Sequence, residues 1–206
     1  IQPICDHWKQ EKIHFDAIYT GYLGSFEQLD LMHKLISDFG GKDTLTIVDP
    51  CMADNGKLYP GFTQEFAFAM AKLCGKADVI VPNLTEASFM LGIEYKASGY
   101  DEDYIKGILK DLVKLGAKKV VLKGVEFEED QKDLKGVKGK IGIASYDAQT
   151  DEFKWYFHEK CPQSFHGTGD IFASVLTGAL MRGKTLEQSY SLAADYVVQS
   201  IKETLS

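Results

Sequence analysis

The most constraining feature of this sequence is an alternation of short apolar segments with segments of helical periodicity. The apolar segments lie at residues 15–19, 45–48, 78–81 and 119–122, and each ends at polar or turn-forming residues. Between them, apolar residues recur at helical spacing over residues 25–39, 62–73 and 101–115, and Thr85 could cap a further helix ending at Leu91. Four strand–helix units in succession predict a parallel sheet covered by helices on both faces.

The last third of the chain follows a different pattern. Residues 141–146 and 153–157 predict an antiparallel pair, whereas the charged, glycine-rich residues 126–140 predict an exposed loop. Apolar residues at 171–181 and 186–201 predict two closing helices. We therefore expect a three-layer α/β/α fold with a mainly parallel central sheet, in a single domain spanning residues 1–206.

Charge and cysteine content exclude several classes of partner. The chain of 206 residues carries a formal charge of −7, which argues against nucleic acid or an anionic membrane as a partner. No apolar run is long enough for a membrane span, and no signal peptide is visible. The four cysteines form no C-x-x-C pair, which argues against a zinc site, and their wide spacing predicts reduced thiols. With no membrane span and no signal peptide in view, we expect a cytoplasmic protein.

The unusual residues of the sequence follow the predicted strands. Ligands of open parallel sheets bind beyond the carboxyl ends of the strands. The segments that would meet at this edge are residues 20–22, 49–50, 82–83, 123–124 and 167–170. We therefore expect these segments to build one site.

The segment Gly167-Thr168-Gly169-Asp170 opens an apolar helix. Two glycines allow several backbone N–H groups to point at one spot, which attracts phosphate at a helix start. Asp170 repels an anion, but it fits this place if it accepts the proton of a hydroxyl that attacks a phosphoryl group. The alternative is that Asp170 caps the helix and the glycines form an ordinary turn.

Acidic residues follow two other strands. Asp49 and Asp54 could face Mg²⁺ directly or through water, or belong to a solvated turn, since Asp-Asn-Gly is a common turn sequence. Glu86 suits the first turn of a helix through the helix dipole, which is a sufficient structural reason for a carboxylate there. The functional alternative places Asn83 and Glu86 near a metal ion and phosphates.

Further candidates have equally plain structural alternatives. Lys123 could neutralise phosphate charge or lie on the surface, and Gly124 is consistent with close backbone approach. Tyr22 could stack on an aromatic substrate or pack under the sheet edge. His158 and His166 are possible acid–base groups, although histidines near strand ends are more often structural.

These segments, in this order, resemble the pyridoxal/pyridoxamine kinase family of the ribokinase-like superfamily. The segments that match are residues 19–25 (YTGYLGS), 49–59 (DPCMADNGKLY), 82–87 (PNLTEA) and 167–170 (GTGD), and the likeness spans residues 15–182. Each motif is moderately specific, whereas the ordered set is strong.

The resemblance implies a role for each candidate. Asp170 would be the catalytic base, and the amides of Gly167 to Gly169 would hold the charge of the transferred phosphoryl group. Tyr22 would line the pocket of the pyridine ring. The other roles would be Mg²⁺ binding by Asp54 and Glu86 with Asp49 and Asn83 nearby, and nucleotide contacts by Lys123, Gly124 and Thr168.

The resemblance also implies ligands and partners. They are Mg²⁺, ATP as co-substrate, a monovalent cation, a B6 vitamer phosphorylated on its 5′-hydroxymethyl group, and a homodimer in the full-length form. The family usually has Val and Gly where this chain has Cys51 and Ala53. The family's first strands lie before Ile1, so we expect the N-terminal part of the kinase domain to be missing from this sequence.

Two alternative functions remain open. Hydroxymethylpyrimidine kinases of thiamine synthesis have similar Asp-Pro and Pro-Asn segments, although residues 19–25 and the Asp-Asn-Gly-Lys stretch favour the B6 group. A non-catalytic relative that binds nucleotide or vitamer is the other alternative, and the presence of Asp170 argues against it. A dinucleotide-dependent reductase is disfavoured because no G-x-G-x-x-G follows an early strand.

Overall fold

A computed structural model describes residues 1–161, 163, 165 and 167–205. A six-stranded sheet with the order β1-β2-β5-β6-β7-β8 forms its centre, and β3 pairs with β4 in a separate hairpin. The first four strands of the sheet are parallel, and β7 and β8 continue it antiparallel. The strands are β1 (Ala17–Thr20), β2 (Leu45–Val48), β3 (Ala53–Asp54), β4 (Lys57–Leu58), β5 (Val79–Ile80), β6 (Lys119–Glu126), β7 (Lys140–Asp147) and β8 (Glu152–Glu159).

Helices precede, connect and follow these strands. In the described part of the chain they are α1 (Gln2–Gln10), α2 (Phe26–Phe39), α3 (Gln64–Cys74), α4 (Leu84–Leu91), α5 (Glu102–Val113), α6 (Thr168–Met181) and α7 (Leu186–Leu205). None of these helices has the length and apolarity needed to cross a membrane.

Two helical layers cover the sheet. Buried side chains of α2, α3, α4 and α5 pack against one face in a large apolar cluster. Those of α6 and α7 pack against the other face in a second cluster that includes Ile47, Val121 and Tyr190. The predicted three-layer α/β/α fold with a mainly parallel sheet is therefore confirmed.

Side-chain caps fix where several helices begin. The side chains of Ser25, Thr63 and Asp101 each accept a hydrogen bond from the backbone N–H three residues later, at the starts of α2, α3 and α5. The prediction that Thr85 caps α4 is wrong, because Asn83 does so. The Asn83 side chain accepts from the Glu86 N–H, and the Glu86 carboxylate accepts from the Asn83 N–H, which forms a capping box.

Two other predictions are corrected by the structure, and one hairpin was not predicted. Residues 126–140 are not wholly exposed, because Phe127 and Val137 are buried and residues 127 and 138 form a β-bridge. The β3–β4 hairpin was not predicted, since each of its strands has only two residues. Helix α6 begins at Thr168 instead of residue 171, so Asp170 already lies in its first turn.

Candidate active site

A cleft of about 390 Å³ lies where the strands of the parallel sheet end. Its walls contain ten of the eleven residues to which the family resemblance assigns a role. They are Asp49, Asp54, Asn83, Glu86, Lys123, Gly124, Gly167, Thr168, Gly169 and Asp170. The exception is Tyr22. Four of the five segments expected at this edge therefore meet in the cleft, whereas residues 20–22 do not line it. Lys123 and Gly124 lie within β6 and not in a loop after it.

A buried ion pair lies at the floor of the cleft. Lys123 Nζ, from β6, lies 3.2 and 3.1 Å from the two carboxylate oxygens of Asp49, which follows β2. Burial raises the pKa of Asp49, and the Lys123 charge opposes this effect. Burial favours a lower pKa for Lys123, but the carboxylates of Asp49 and Glu86 outweigh it and raise that pKa. Lys123 is therefore a largely buried cation paired with Asp49, and not a fully exposed surface lysine.

Glu86 is buried beside this pair. Its carboxylate accepts hydrogen bonds from the backbone N–H groups of Met52 (3.3 Å) and Asn83 (2.7 Å). Burial raises its pKa to about 8, with a further contribution from the charge of Asp49. The Asn83 side chain also donates to the Ala53 carbonyl at 2.9 Å, so it joins the β3 loop to the start of α4. These hydrogen bonds are sufficient to give Asn83 and Glu86 a structural role.

The three candidate metal ligands are not equivalent. In the part of the chain that the structure describes, no three or more His, Cys, Asp or Glu side chains come together as a metal site. Asp49 faces Lys123, Glu86 faces two amides, and Asp54 is exposed and accepts from Asn55. These donors do not suit a resident ion held by protein ligands alone. They suit a hydrated Mg²⁺ that arrives with a nucleotide, because Mg²⁺ retains several waters.

The first turn of α6 closes the cleft opposite Asp49. Gly167, with φ 87°, adopts the left-handed conformation that favours glycine and leads into α6. Within the described residues no side chain caps this helix, so the amides of its first turn remain available to a ligand. A methyl group at Gly169 would lie 3.8 Å from Lys123 Nζ. An anion at this turn would therefore meet the helix amides and a lysine ammonium together.

Asp170 lies between the cleft and the loop after β1. It lines the cleft, and a methyl group at Gly21 would lie 3.6 Å from its Oδ1. Tyr22 follows Gly21, is 59% exposed, and packs its ring at 5.7 Å from that of Phe62. The Asp170 carboxylate is thus accessible from two sides, and Tyr22 belongs to the side away from the cleft.

Sequence reasoning missed the apolar end of the cleft. This end contains Ile141 and Ile143 of β7 with Val197 and Val198 of α7. Alternating apolar residues in β7 gave a signal for burial, but nothing local indicated that α7 would cover them. The candidate His158 also lines the cleft, whereas His166 lies outside the described residues.

Cys51, a departure from the family pattern, lines the cleft as well. Burial raises its pKa to about 12, with further contributions from Asp49 and Glu86. The side chain is therefore a neutral thiol near neutral pH. Ala53 is fully buried in β3, so its methyl group points into packed structure.

The mainly parallel three-layer fold, with a helix start and a carboxylate at the sheet edge, defines the ribokinase-like class of α/β proteins. More particularly, the chain belongs to the phosphomethylpyrimidine kinase family, whose sequence profile matches residues 8–206.

Individual relatives fall into two groups by substrate name. The chain is 28% identical over 176 residues to a pyridoxal kinase of Dictyostelium discoideum, which covers 84% of this chain and 56% of the relative. It is 27% identical over 196 residues to a hydroxymethylpyrimidine/phosphomethylpyrimidine kinase of Bacillus subtilis. That alignment covers 95% of this chain and 66% of the relative. The chain thus spans 56% to 66% of the length of these relatives.

Solved structures agree with this assignment. A putative phosphomethylpyrimidine kinase of Bacteroides thetaiotaomicron, solved with pyridoxal, superimposes with a TM-score of 0.89 at 35% identity, over 100% of this chain and 69% of that one. The pyridoxal kinase of Staphylococcus aureus, solved with AMP-PCP and pyridoxal, gives a TM-score of 0.73 at 28% identity. The superposition covers 94% of this chain and 64% of that one.

Proposed function

We propose that this chain supplies the nucleotide site and the catalytic base of a kinase that transfers the γ-phosphoryl group of Mg·ATP to the 5′-hydroxymethyl group of a B6 vitamer. Family membership supports a kinase of small vitamin-like alcohols. The observation that carries the proposal is the position of Asp170, which borders the nucleotide-sized cleft on one side and Gly21 on the other.

The two ends of the cleft suit the two ends of ATP. The apolar side chains of β7 and α7 match a purine ring, since such pockets bind planar ligands by apolar contact. The first turn of α6 and Lys123 match the polyphosphate, because helix amides and a lysine both attract anions. This orientation brings the γ-phosphoryl group to Asp170. Mg²⁺ bound to the phosphates would neutralise part of their charge.

The reaction then needs one proton acceptor and one anion site. The acceptor oxygen attacks the γ-phosphorus, its proton passes to the Asp170 carboxylate, and the bond to the β-phosphate oxygen breaks to leave ADP. Since α6 begins at Thr168, the free first-turn amides are those of Thr168, Gly169 and Asp170 instead of the expected Gly167 to Gly169, and they hold the charge of the phosphoryl oxygens during transfer. Lys123, already paired with Asp49, lends positive charge from the floor of the cleft.

The acceptor is assigned to the side of Tyr22. An exposed tyrosine ring next to the base can stack on a pyridine ring. The match of residues 19–25 to pyridoxal kinases and the pyridoxal complex of the Bacteroides relative favour a B6 vitamer. The family name and the Bacillus relative support hydroxymethylpyrimidine as the second candidate, and a side-by-side turnover assay separates the two.

Asp170→Asn in the full-length protein tests the mechanism. The substitution removes the base but keeps its shape, so we expect ATP affinity to change little and vitamer phosphorylation to fall by about 10²–10⁴-fold. ATP binding is measured by calorimetry and turnover by ADP release with pyridoxal, pyridoxamine, pyridoxine and hydroxymethylpyrimidine.

Asp103→Asn is the matched control. Asp103 lies exposed in the first turn of α5, so the same chemical change is made at a helix start outside the cleft. Turnover of this variant should equal that of the wild type. If Asp170→Asn keeps wild-type turnover, Asp170 is only a carboxylate in the first turn of α6 and the proposed mechanism is wrong.

A further inference from the structure

Tyr19 is a second polar group on the acceptor side of Asp170. Its ring, on β1, packs against the apolar cluster under α6 and α7. A methyl group at Gly21 would lie 3.2 Å from the Tyr19 hydroxyl oxygen and 3.6 Å from Asp170 Oδ1. The hydroxyl and the carboxylate therefore face the same small space in front of Gly21. Neither Tyr19 nor Gly21 is among the described residues that line the cleft assigned to the nucleotide.

The Tyr19 hydroxyl has unused hydrogen-bonding capacity. It makes no hydrogen bond to any of the residues that the structure describes, although the side chain is half-buried. Burial raises the pKa of Tyr19 above its ordinary value, and the charges of Asp49 and Asp170 raise it further. The hydroxyl consequently remains protonated near neutral pH and can act as a donor.

We propose that Tyr19 determines acceptor specificity by donating a hydrogen bond to a polar substituent next to the hydroxymethyl group being phosphorylated. The inference rests on the proposed function and adds a recognised group to it. In pyridoxal and pyridoxine, an aldehyde or hydroxymethyl group occupies the ring position adjacent to the reacting arm. The ring holds the two groups side by side, so one can meet Asp170 while its neighbour meets Tyr19.

This role differs from that of the base and from that of Tyr22. Asp170 acts on the reacting hydroxyl, and Tyr22 offers a ring face, which is indifferent to the neighbouring substituent. Tyr19 alone would discriminate between an acceptor that carries an oxygen at the adjacent position and one that carries a methyl group there. The pair pyridoxine and 4-deoxypyridoxine differs in this oxygen only.

The experiment compares these two acceptors in wild type and in Tyr19→Phe of the full-length protein. We expect kcat/KM for pyridoxine to fall about 3- to 10-fold, as for loss of one neutral hydrogen bond. The value for 4-deoxypyridoxine should stay within about twofold, and the KM for ATP should not change. Tyr190→Phe is the matched control, because Tyr190 packs in the same cluster without lining the cleft.

Gly21→Ala provides an independent test of the same space. The backbone of Gly21 is not in the left-handed region, so alanine introduces no conformational strain there. Its methyl group would cover Asp170 Oδ1 and the Tyr19 hydroxyl, and we expect phosphorylation of both acceptors to be lost while ATP binding is kept.

Three results would overturn the inference. One is an equal loss, or no loss, for both acceptors in Tyr19→Phe. Another is full pyridoxine turnover in Gly21→Ala, which would place the acceptor elsewhere. The third is absence of turnover with either acceptor in the wild type. This result would contradict the proposed function itself, and the wild-type assay alone separates it from a failure of the Tyr19 inference.

Discussion

Among individual residues, the site depends most on the ion pair between Asp49 and Lys123. Asp49 is 2% exposed and the Lys123 side chain 18% exposed, and 74 positions of sequence separate them. Burying two charges costs solvation free energy, which their attraction and hydrogen bonds roughly offset. Loss of one partner leaves the other charge buried without compensation. The pair therefore stabilises the fold only as long as it is complete.

Lys123→Met tests this dependence, because methionine retains much of the side-chain volume without the charge. We expect the free energy of unfolding to fall by about 3–5 kcal/mol, as for other broken buried pairs. Urea denaturation at pH 7 in the absence of nucleotide measures the change.

The control for this prediction is Lys118→Met. Lys118 Nζ lies 2.6 Å from Asp78 Oδ1 in a pair that solvent reaches, and such pairs contribute about 0–1 kcal/mol. A loss for Lys123→Met no larger than that for Lys118→Met would show that Asp49 is accommodated without its partner.

At the scale of elements, two glycines show how differently strands and helices respond to one added methyl group. Gly142, on β7, faces the ring of Phe157 on β8, and a Cβ atom there would lie within 2.6 Å of the Tyr156 carbonyl oxygen. Gly107, on α5, is exposed and would place its Cβ atom in open space. The first glycine is required by packing between strands, whereas the second only lowers helix propensity.

We therefore expect Gly142→Ala to destabilise the protein by about 1–3 kcal/mol or more, because backbone and ring must move apart. Gly107→Ala should stabilise it by up to about 1 kcal/mol, the difference in helix propensity between the two residues. Thermal unfolding followed by circular dichroism measures both variants. A similar Tm for the two variants would contradict the clash between β7 and β8.

On the scale of the whole molecule, Tyr190 links the α6–α7 layer to the sheet. Its side chain is fully buried, and the Ser145 hydroxyl on β7 donates to its hydroxyl oxygen at 3.4 Å. Burial raises the pKa of Tyr190 to about 12 from an ordinary value of 10.0. The neutral phenol is thus favoured in the folded protein, and the unfolded chain releases this proton at lower pH.

The consequence is a loss of stability in alkali. The contribution of Tyr190 is fully present below pH 10 and declines as pH rises from about 10 to about 12, by at most about 3 kcal/mol. Tyr190→Phe cannot ionise, so its free energy of unfolding should fall less steeply over this window. Urea denaturation at pH 8.5 and at pH 11.5 checks the difference.

Tyr196→Phe is the control for this effect, because Tyr196 lies on the same helix and is 55% exposed. Urea denaturation of this variant at the same two pH values controls for the loss of a tyrosine hydroxyl from α7. Parallel alkaline losses in Tyr190→Phe and wild type would mean that the Tyr190 hydroxyl ionises in the folded protein as easily as in the unfolded chain.

Much of this architecture follows from local patterns. Leu45–Val48 is a continuous apolar run before Asp-Pro, and it forms β2 with the predicted bounds. The cap of α4 is less predictable, since Asn83 and Thr85 are both residue types that cap helices. Only the reciprocal bonds of Asn83 and Glu86 decide between them.

The contacts between distant segments had no local signal. The Asp49–Lys123 pair and the closure of the cleft by α7 depend on how the layers assemble, which periodicity does not specify. The position of the candidate residues at one edge was predictable from the parallel sheet alone. The residues that they contact at this edge were not predictable from it.

The order of the strands has a consequence for synthesis of the chain. Across the sheet, β1, β2, β5, β6, β7 and β8 appear in the order in which a ribosome releases them. From β2 onward, each of these strands therefore emerges after the neighbour on which it pairs. The turn at Gly167–Asp170 and the covering α7 emerge after all six strands. A nascent chain up to β8 would hold these six strands and the helical layer of α2 to α5, but not α6 and α7, which complete the cleft.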